Sequence, residues 1–532
     1  MPMFPFPDVG SVGYNADIPD HDLIQPDGVK TTQMAWSSVR NFGFRGGVAE
    51  RAKGFGSGFG TVQQIPYFLT AATKTDGTPY VVAGGTTKVY SYNGSTATDI
   101  SKSATTYSAT ADTRWTGGVF TGFVVLNNTV ENPQFCAISN LGSANALTDL
   151  TNWPASTTCK VFRPFKYFLV AGYMTESATA YPYKVRWSAS AVPGALPASW
   201  VATAANDAGS VDLSENDGEI VDMLALGDQL AIFRRNGVWL MRYVGGLDAA
   251  NRLVMAFNRV QLSAASGLVA SNCADVVPGL GLIAMSESDV YLFNGNTATS
   301  VLNNRTRRWL FNNMDTTNKK RSFLVTNARD SEVLICFPTS GNSSCDTAIV
   351  WNYADDTVGH RDLTTATCGI AAVINAGTSG AWSSYSGAWS AASTTWASTA
   401  ALGADRKLIL GSAGTKIYVI GDKTDADGST FTAQLQRTGL TLGDPERVKY
   451  IKEVWPKFNG NTGDTVEITV GAQMAPDEIV TWGIPQNYTI GTSRKVDVNL
   501  TGRYLGIRLR STSGGVWKLK SLDANVVPLG AY

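Results

Sequence analysis

Two histidines, His21 and His360, limit the imidazole chemistry open to this chain. A Ser-His-Asp triad or a histidine metal centre would have to be assembled from them. His21 stands in Asp20-His21-Asp22 and His360 in Gly359-His360-Arg361-Asp362, and both read as surface residues. Six cysteines, at 136, 159, 273, 336, 345 and 368, include no Cys-x-x-Cys pair, so neither a zinc site nor a disulfide scaffold is expected. Cys336 and Cys345 flank one predicted hairpin turn and are close enough in sequence to meet, although a reducing cytosol disfavours the bond.

Paired carboxylates are the next source of chemistry, since glycoside hydrolysis needs only two acids. Some glycan hydrolases repeat a Ser-x-Asp-x-Gly-x-x-Trp turn. The nearest stretch here, Ser214-Glu215-Asn216-Asp217-Gly218, has Asn in place of the Asp, lacks the Trp and occurs once. Asp425-Ala426-Asp427-Gly428-Ser429-Thr430 looks like half a calcium loop, but Thr430 and Gln436 stand where Gly and Glu are required. Gly54-Phe55-Gly56-Ser57-Gly58 resembles a distorted nucleophile elbow or phosphate cradle, without the strand-turn-helix context either needs. No catalytic constellation, cofactor site or metal site is expected, and the chain reads as a non-enzyme.

The elements that would position any site are strands. Charged residues make up 16% of the 532 and glycines number 53, a composition of turn formers with β-branched and aromatic residues. One unit recurs: a short apolar strand, a polar or Gly turn, and an aromatic-bearing strand. Its clearest copies pair Val81–Gly85 with Val89–Gly94, Leu230–Gly237 with Val238–Met241, Leu282–Met285 with Val290–Gly295, and Leu408–Gly411 with Ile417–Gly421. Weaker copies begin near Phe123, Tyr167 and Val333, the last pairing with Ile349–Tyr353. A lone hairpin cannot bury its apolar face, whereas radially stacked four-stranded sheets bury one against the next. The expected fold is all-β: a divergent β-propeller of six or seven blades over residues 61–425, preceded by an extended N-terminal arm (1–60). A long sandwich array is the competing arrangement.

Residues 378–400 form a Trp/Ser/Gly-rich insertion, with Trp382, Trp389 and Trp396 as candidate exposed contact aromatics. Beyond residue 425 the pattern changes to strands with one wet and one buried face. They are expected at Thr430–Gly439, Lys449–Phe458, Thr465–Ala472, Lys495–Leu500, Tyr504–Arg510 and Val516–Leu522. That predicts a C-terminal antiparallel β-sandwich over 426–532. One helix is expected around Ser300–Asn312, after Asn303-Asn304.

Lys+Arg 43 balance Asp+Glu 43. The basic excess of a protein that grips nucleic acid is missing, while a surface past which DNA slides remains compatible. Neither a signal peptide nor a membrane-spanning segment is evident, so synthesis in a cytosol is expected.

The N-terminal segment carries a resemblance. Asn15–Pro19, Met34-Ala35-Trp36, Arg40–Gly47 (Arg-Asn-Phe-Gly-Phe-Arg-Gly-Gly) and Glu50–Gly54 resemble the opening of tail nozzle (tail tubular B, or packaged-DNA stabilisation hub) proteins of short-tailed bacteriophages. Those proteins commonly open with a Trp, then Asn-x-x-Phe-x-x-Gly, then a basic residue and Gly. The resemblance is close over about 40 residues and looser beyond them. It implies a virion structural protein forming a ring, usually a hexamer, below the portal and tail adaptor. The ring would enclose the DNA ejection channel, help retain packaged DNA until infection, and carry tail fibres or a needle. Viral DNA would pass through without sequence-specific binding. Trp36, Asn41, Phe44, Gly46 and Gly54 are the candidate assembly residues. The alternative is a glycan- or receptor-binding propeller module of a phage tail.

Overall fold

A computed structural model of the chain describes residues 3–15, 18–23, 34–203, 205–214, 217–247, 253–260, 267–374, 406–476, 478–512 and 514–531. The fold is all-β, with one α-helix among the described residues. Every strand pairing between named strands is antiparallel, and five sheets have four strands each in simple sequence order. Sheet I runs from Phe68 to Asp99, II from Thr116 to Asp149, III from Thr157 to Asp212, IV from Ile220 to Val260 and V from Ala274 to Ser300.

Two further four-strand units share one long strand, Thr357–Val373. Its first part pairs with Cys345–Asn352 and closes unit VI, which begins at Phe323–Asn327. Its second part pairs with Arg406–Ser412 and opens unit VII. The register shifts near Ala366, next to Thr365, whose φ of +47° lies in the left-handed region. Unit VII continues through Lys416–Ile420 and ends on Phe55–Ser57, a strand from the opposite end of the chain.

The first strands of consecutive units touch in order from I to VII, and the first strand of VII touches that of I, so the order of contacts closes on itself. All seven repeat copies read from the sequence fall on the second strand of one unit, beginning with Pro79–Gly84 in I and ending with Arg406–Ser412 in VII. These second strands are the most apolar because both of their faces are covered; Ile232, Ile283, Ile335 and Ile409 are fully buried.

The C-terminal strands lie within one or a few residues of their expected positions, except that the last is longer, Lys518–Ala531. They divide between two sheets. Ala433–Leu440, Tyr504–Ser511 and Thr465–Gln473 form one; Arg447–Asn459, Lys518–Ala531 and Val496–Gly502 belong to the other. Leu435, Val470 and Ile507 from the first share an apolar cluster with Ile451, Val454 and Leu522 from the second.

The described parts of residues 1–60 are woven into this framework rather than standing off it. Met3–Phe6 pairs with the last strand, Ser38–Arg40 with Ala433–Leu440, and Phe55–Ser57 completes unit VII. The hairpin Phe42–Arg45/Val48–Arg51 touches unit VI through Phe42 and His360, and the C-terminal sheet through Glu50 and Lys518. The segment's aromatics account for this: Phe6, Trp36, Phe42 and Phe44 are large apolar groups buried in one apolar cluster with residues of units IV to VI and of the C-terminal strands. The helix is Asn304–Asn313, and the Asn303 side chain accepts from the backbone N–H groups of Arg305 (3.1 Å) and Thr306 (2.8 Å).

Candidate functional site

The five N-terminal residues singled out from the sequence all act within their own chain. Trp36 is buried and its indole N–H donates to the Val9 carbonyl at 2.6 Å. Asn41 holds a left-handed φ of +57°, a conformation Asn tolerates better than most residues. Its amide donates to Asp362 Oδ2 and to the Thr432 carbonyl, both at 2.8 Å, and its side-chain oxygen accepts from the Asp362 N–H at 2.8 Å. One side chain thereby ties the N-terminal segment to unit VI and to the C-terminal module. Phe44 is buried, and its carbonyl accepts from Thr357 Oγ1 at 2.9 Å.

Gly46 and Gly47 have φ of +56° and +74°, the signature of a two-residue hairpin turn of the primed type. The Gly46 N–H donates to Asp355 Oδ2 at 2.8 Å. Gly54 is required for proximity: a Cβ there would lie 1.9 Å from the Asp425 carbonyl oxygen. Beside it, Arg51 is fully buried, donates to the carbonyls of Thr424, Gly514 and Gly515, and lies 4.4 Å from the Phe431 ring centroid. Trp382, Trp389 and Trp396 lie outside the described residues.

A second cluster was not foreseen. The seven first strands surround a cavity of about 430 Å³, to which each contributes at least one residue. Across it runs a polar network. Arg163 on unit III donates through Nε and Nη2 to the two carboxylate oxygens of Asp222 on unit IV, at 2.9 and 2.8 Å. The same guanidinium reaches Asn272 Oδ1 before unit V (2.8 Å) and the Gly117 carbonyl on unit II (3.1 Å). Asn272 in turn donates to the Trp115 carbonyl at 3.2 Å, and its own carbonyl accepts from the Leu324 N–H of unit VI at 3.0 Å. Asp275, whose carboxyl burial pushes above the usual range, accepts from the Thr326 N–H at 2.7 Å.

At the starting ends of the first strands, Arg114 spans the remaining gap. It donates to the Lys320 carbonyl through Nε (3.1 Å) and Nη2 (2.9 Å), and to the Thr367 carbonyl through Nη1 (3.5 Å). Thr367 donates onward to the Pro66 carbonyl, just before unit I. Charged and polar side chains thus bond between the units around this cavity. The sequence did carry one signal for them: Arg163 and Asp222 interrupt apolar runs, Val161–Phe165 and Ile220–Leu224, where a lone charge needs a partner.

None of these groups forms a catalytic constellation. All six thiols are buried and free, and burial raises every one of them, Cys136 to about 11 and Cys368 to about 12, so thiolate chemistry is suppressed. His360 is half-buried rather than exposed, and its withdrawal from solvent lowers its pKa. Among the described residues no group of three His, Cys, Asp or Glu is placed to hold a metal ion, and no helix is long and apolar enough to cross a membrane.

No family model matches the chain, and no curated protein matches it. Solved structures to which the chain is similar include the computationally designed Ika8 protein, at 10% identity over 69% of this chain and 99% of that one, with a TM-score of 0.35. PorZ, a surface component of the type-IX secretion system of Porphyromonas gingivalis, is 10% identical over 82% of this chain and 46% of its own, with a TM-score of 0.39. The extracellular domain of the putative one component system BT4673 from B. thetaiotaomicron is 11% identical over 84% of this chain and 48% of its own, also at 0.39. The chain therefore spans less than half of the last two proteins.

Proposed function

We propose that this chain is a tail nozzle protein of a short-tailed bacteriophage, with the seven-unit cycle as a seven-bladed β-propeller and the C-terminal sheets as a β-sandwich. On this reading, copies made in the bacterial cytoplasm assemble side by side into a ring, six as in the family it resembles. The ring docks below the tail adaptor in the virion tail. It encloses the DNA ejection channel, and tail fibre or needle proteins attach to it.

The observation that carries the reading is the placement of the resembling segment. Asn41 bonds both unit VI and the C-terminal module, Phe44 bonds unit VI, Trp36 bonds Val9 within the segment, Gly54 packs against the Asp425 carbonyl, and the adjoining Phe55–Ser57 is the strand that closes the last blade. A ring subunit that must withstand packaged DNA needs such a rigid block. The middle of the propeller is a second support: it holds a cavity of only about 430 Å³, too small for duplex DNA, with Arg114 and Arg163 bonded between units around it, so on this reading the DNA path lies between copies rather than through one of them. Zero formal net charge suits such a lumen, because a strongly basic wall would retain DNA through its phosphates. The role is structural, and no catalysis is assigned to it.

Mixing the purified chain with portal–adaptor complexes and imaging the product tests the proposal. A ring of extra density below the adaptor supports it. Portal–adaptor particles that remain bare while the chain stays monomeric count against it.

A further inference from the structure

Arg114 is a buried cation without a carboxylate partner among the described residues. It is 8% exposed, its guanidinium donates to two backbone carbonyls, and burial lowers its pKa. A guanidinium withdrawn from water without a counter-ion is costly unless something else neutralises it. Next to it lies a cavity of about 280 Å³, distinct from the larger one and sharing Arg114 and Thr367 with it in its lining. Arg321 lines this cavity too, with Tyr67, Ser344 and the exposed Ser343 at its mouth.

The charges around it do not balance. Asp112 already serves both Lys320 (3.0 Å) and Arg321 (2.7 Å), and Arg114 pairs with no carboxylate among the described residues. Arg321 also donates to the Ser343 carbonyl at 2.7 Å, which holds its guanidinium at the cavity rim. The Tyr67 phenol is within electrostatic range of both arginines, as the lowering they exert on it against burial requires. Two planar guanidiniums and the hydroxyl-bearing residues Tyr67, Ser343 and Ser344 line one space several water molecules wide, which makes a receptor for a compact oxyanion.

We propose that this cavity binds a small inorganic oxyanion of the phosphate or sulfate class, with Arg114 as its buried contact and Arg321 as its rim contact. The bound anion supplies the counter-charge that Arg114 lacks and bridges the chain before unit I, the start of unit II and the turn before unit VI. Occupancy consequently stabilises the cycle where its first and last units meet. The inference rests on the cavity alone and holds or fails independently of the tail-nozzle reading.

The test is thermal unfolding of the full chain, titrated with sodium phosphate in a non-phosphate buffer, against sodium chloride at equal ionic strength. A saturable rise in Tm with phosphate, beyond that with chloride, is expected. Arg321→Gln should move the half-saturating phosphate concentration up by about tenfold, the effect of one lost charge-assisted contact. Arg114→Met should abolish the saturable response. Because Arg114→Met alters the interior, Ser343→Asp at the mouth provides a second variant; its added negative charge should also weaken phosphate binding. 31P line broadening of inorganic phosphate gives a readout independent of stability. Equal effects of phosphate and chloride on the wild-type chain, or variants that retain the wild-type phosphate midpoint, would overturn the proposal.

Discussion

Arg163 and Asp222, on adjacent units, meet fork to fork, with N–H to O distances of 2.9 and 2.8 Å, and the Asp222 side chain is wholly withdrawn from solvent. Such a pair contributes little net stability over an apolar replacement, but breaking it leaves one buried charge alone. Asp222→Asn or Arg163→Met should each destabilise the chain by about 3–5 kcal/mol. The double variant Arg163→Met/Asp222→Leu should lose clearly less than the sum of the two single changes. Calorimetric unfolding of the four proteins measures the coupling. Additive losses would mean that the pair does not act as a unit.

The N-terminal segment makes a separate prediction. Trp36→Ala removes a buried indole and its bond to Val9, a loss of about 3–5 kcal/mol by analogy with other large-to-small core changes. Gly54→Ala places a methyl against the Asp425 carbonyl and should dislodge Phe55–Ser57 from unit VII. In both variants limited proteolysis should cut within residues 1–60 earlier than in the wild type. An unchanged cleavage pattern would show that the segment does not clamp the two modules.

Thiol accessibility follows from burial. All six cysteines are buried with raised pKa, including Cys336 and Cys345, which stand as free thiols rather than a disulfide. Ellman's reagent should find almost no reactive thiol in the native chain at neutral pH and six after denaturation. Rapid native reaction at any of them, or a mass change on reduction, would contradict the packing described.

A pH dependence is expected in the C-terminal module. Hydrogen bonds from Lys495 and Asn525 hold Glu453 down at about 2, below the ordinary glutamate range. A depressed folded-state pKa gives stability that is present above the unfolded value near 4.5 and is lost as pH falls toward 2. Lys495→Met should therefore shift the acid transition of the module to higher pH and leave neutral-pH folding in place. Tryptophan fluorescence against pH reads this, with Trp455 and Trp517 in the module as probes. An acid midpoint unmoved by the substitution would assign the transition to other groups.

The sequence displayed what repeats locally. Alternation in Val466, Ile468 and Val470, and the apolar second strands with their Asn-Gly turns, fixed most strand positions, since those patterns answer to neighbours within a few residues. It concealed what depends on distant partners. Met3–Phe6, Ser38–Arg40 and Phe55–Ser57 are short strands whose partners lie hundreds of positions away, so the polar, Gly-rich character of residues 1–60 suggested an arm. His360 looked like a surface residue because its burial comes from packing by residues far off in sequence, Trp309 among them. Arg114, Arg163 and Asn272 gain meaning only when several units converge, and no spacing along the chain records that convergence.

The most direct test of the ring reading is the native mass of the purified chain, alone and with tail adaptor rings. The account predicts a discrete closed assembly, six copies alone or templated by the adaptor, with an axial hole between subunits in the corresponding images. A chain that remains monomeric at all concentrations and ignores the adaptor would contradict it, and a glycan array would then decide whether it is a receptor-binding module instead.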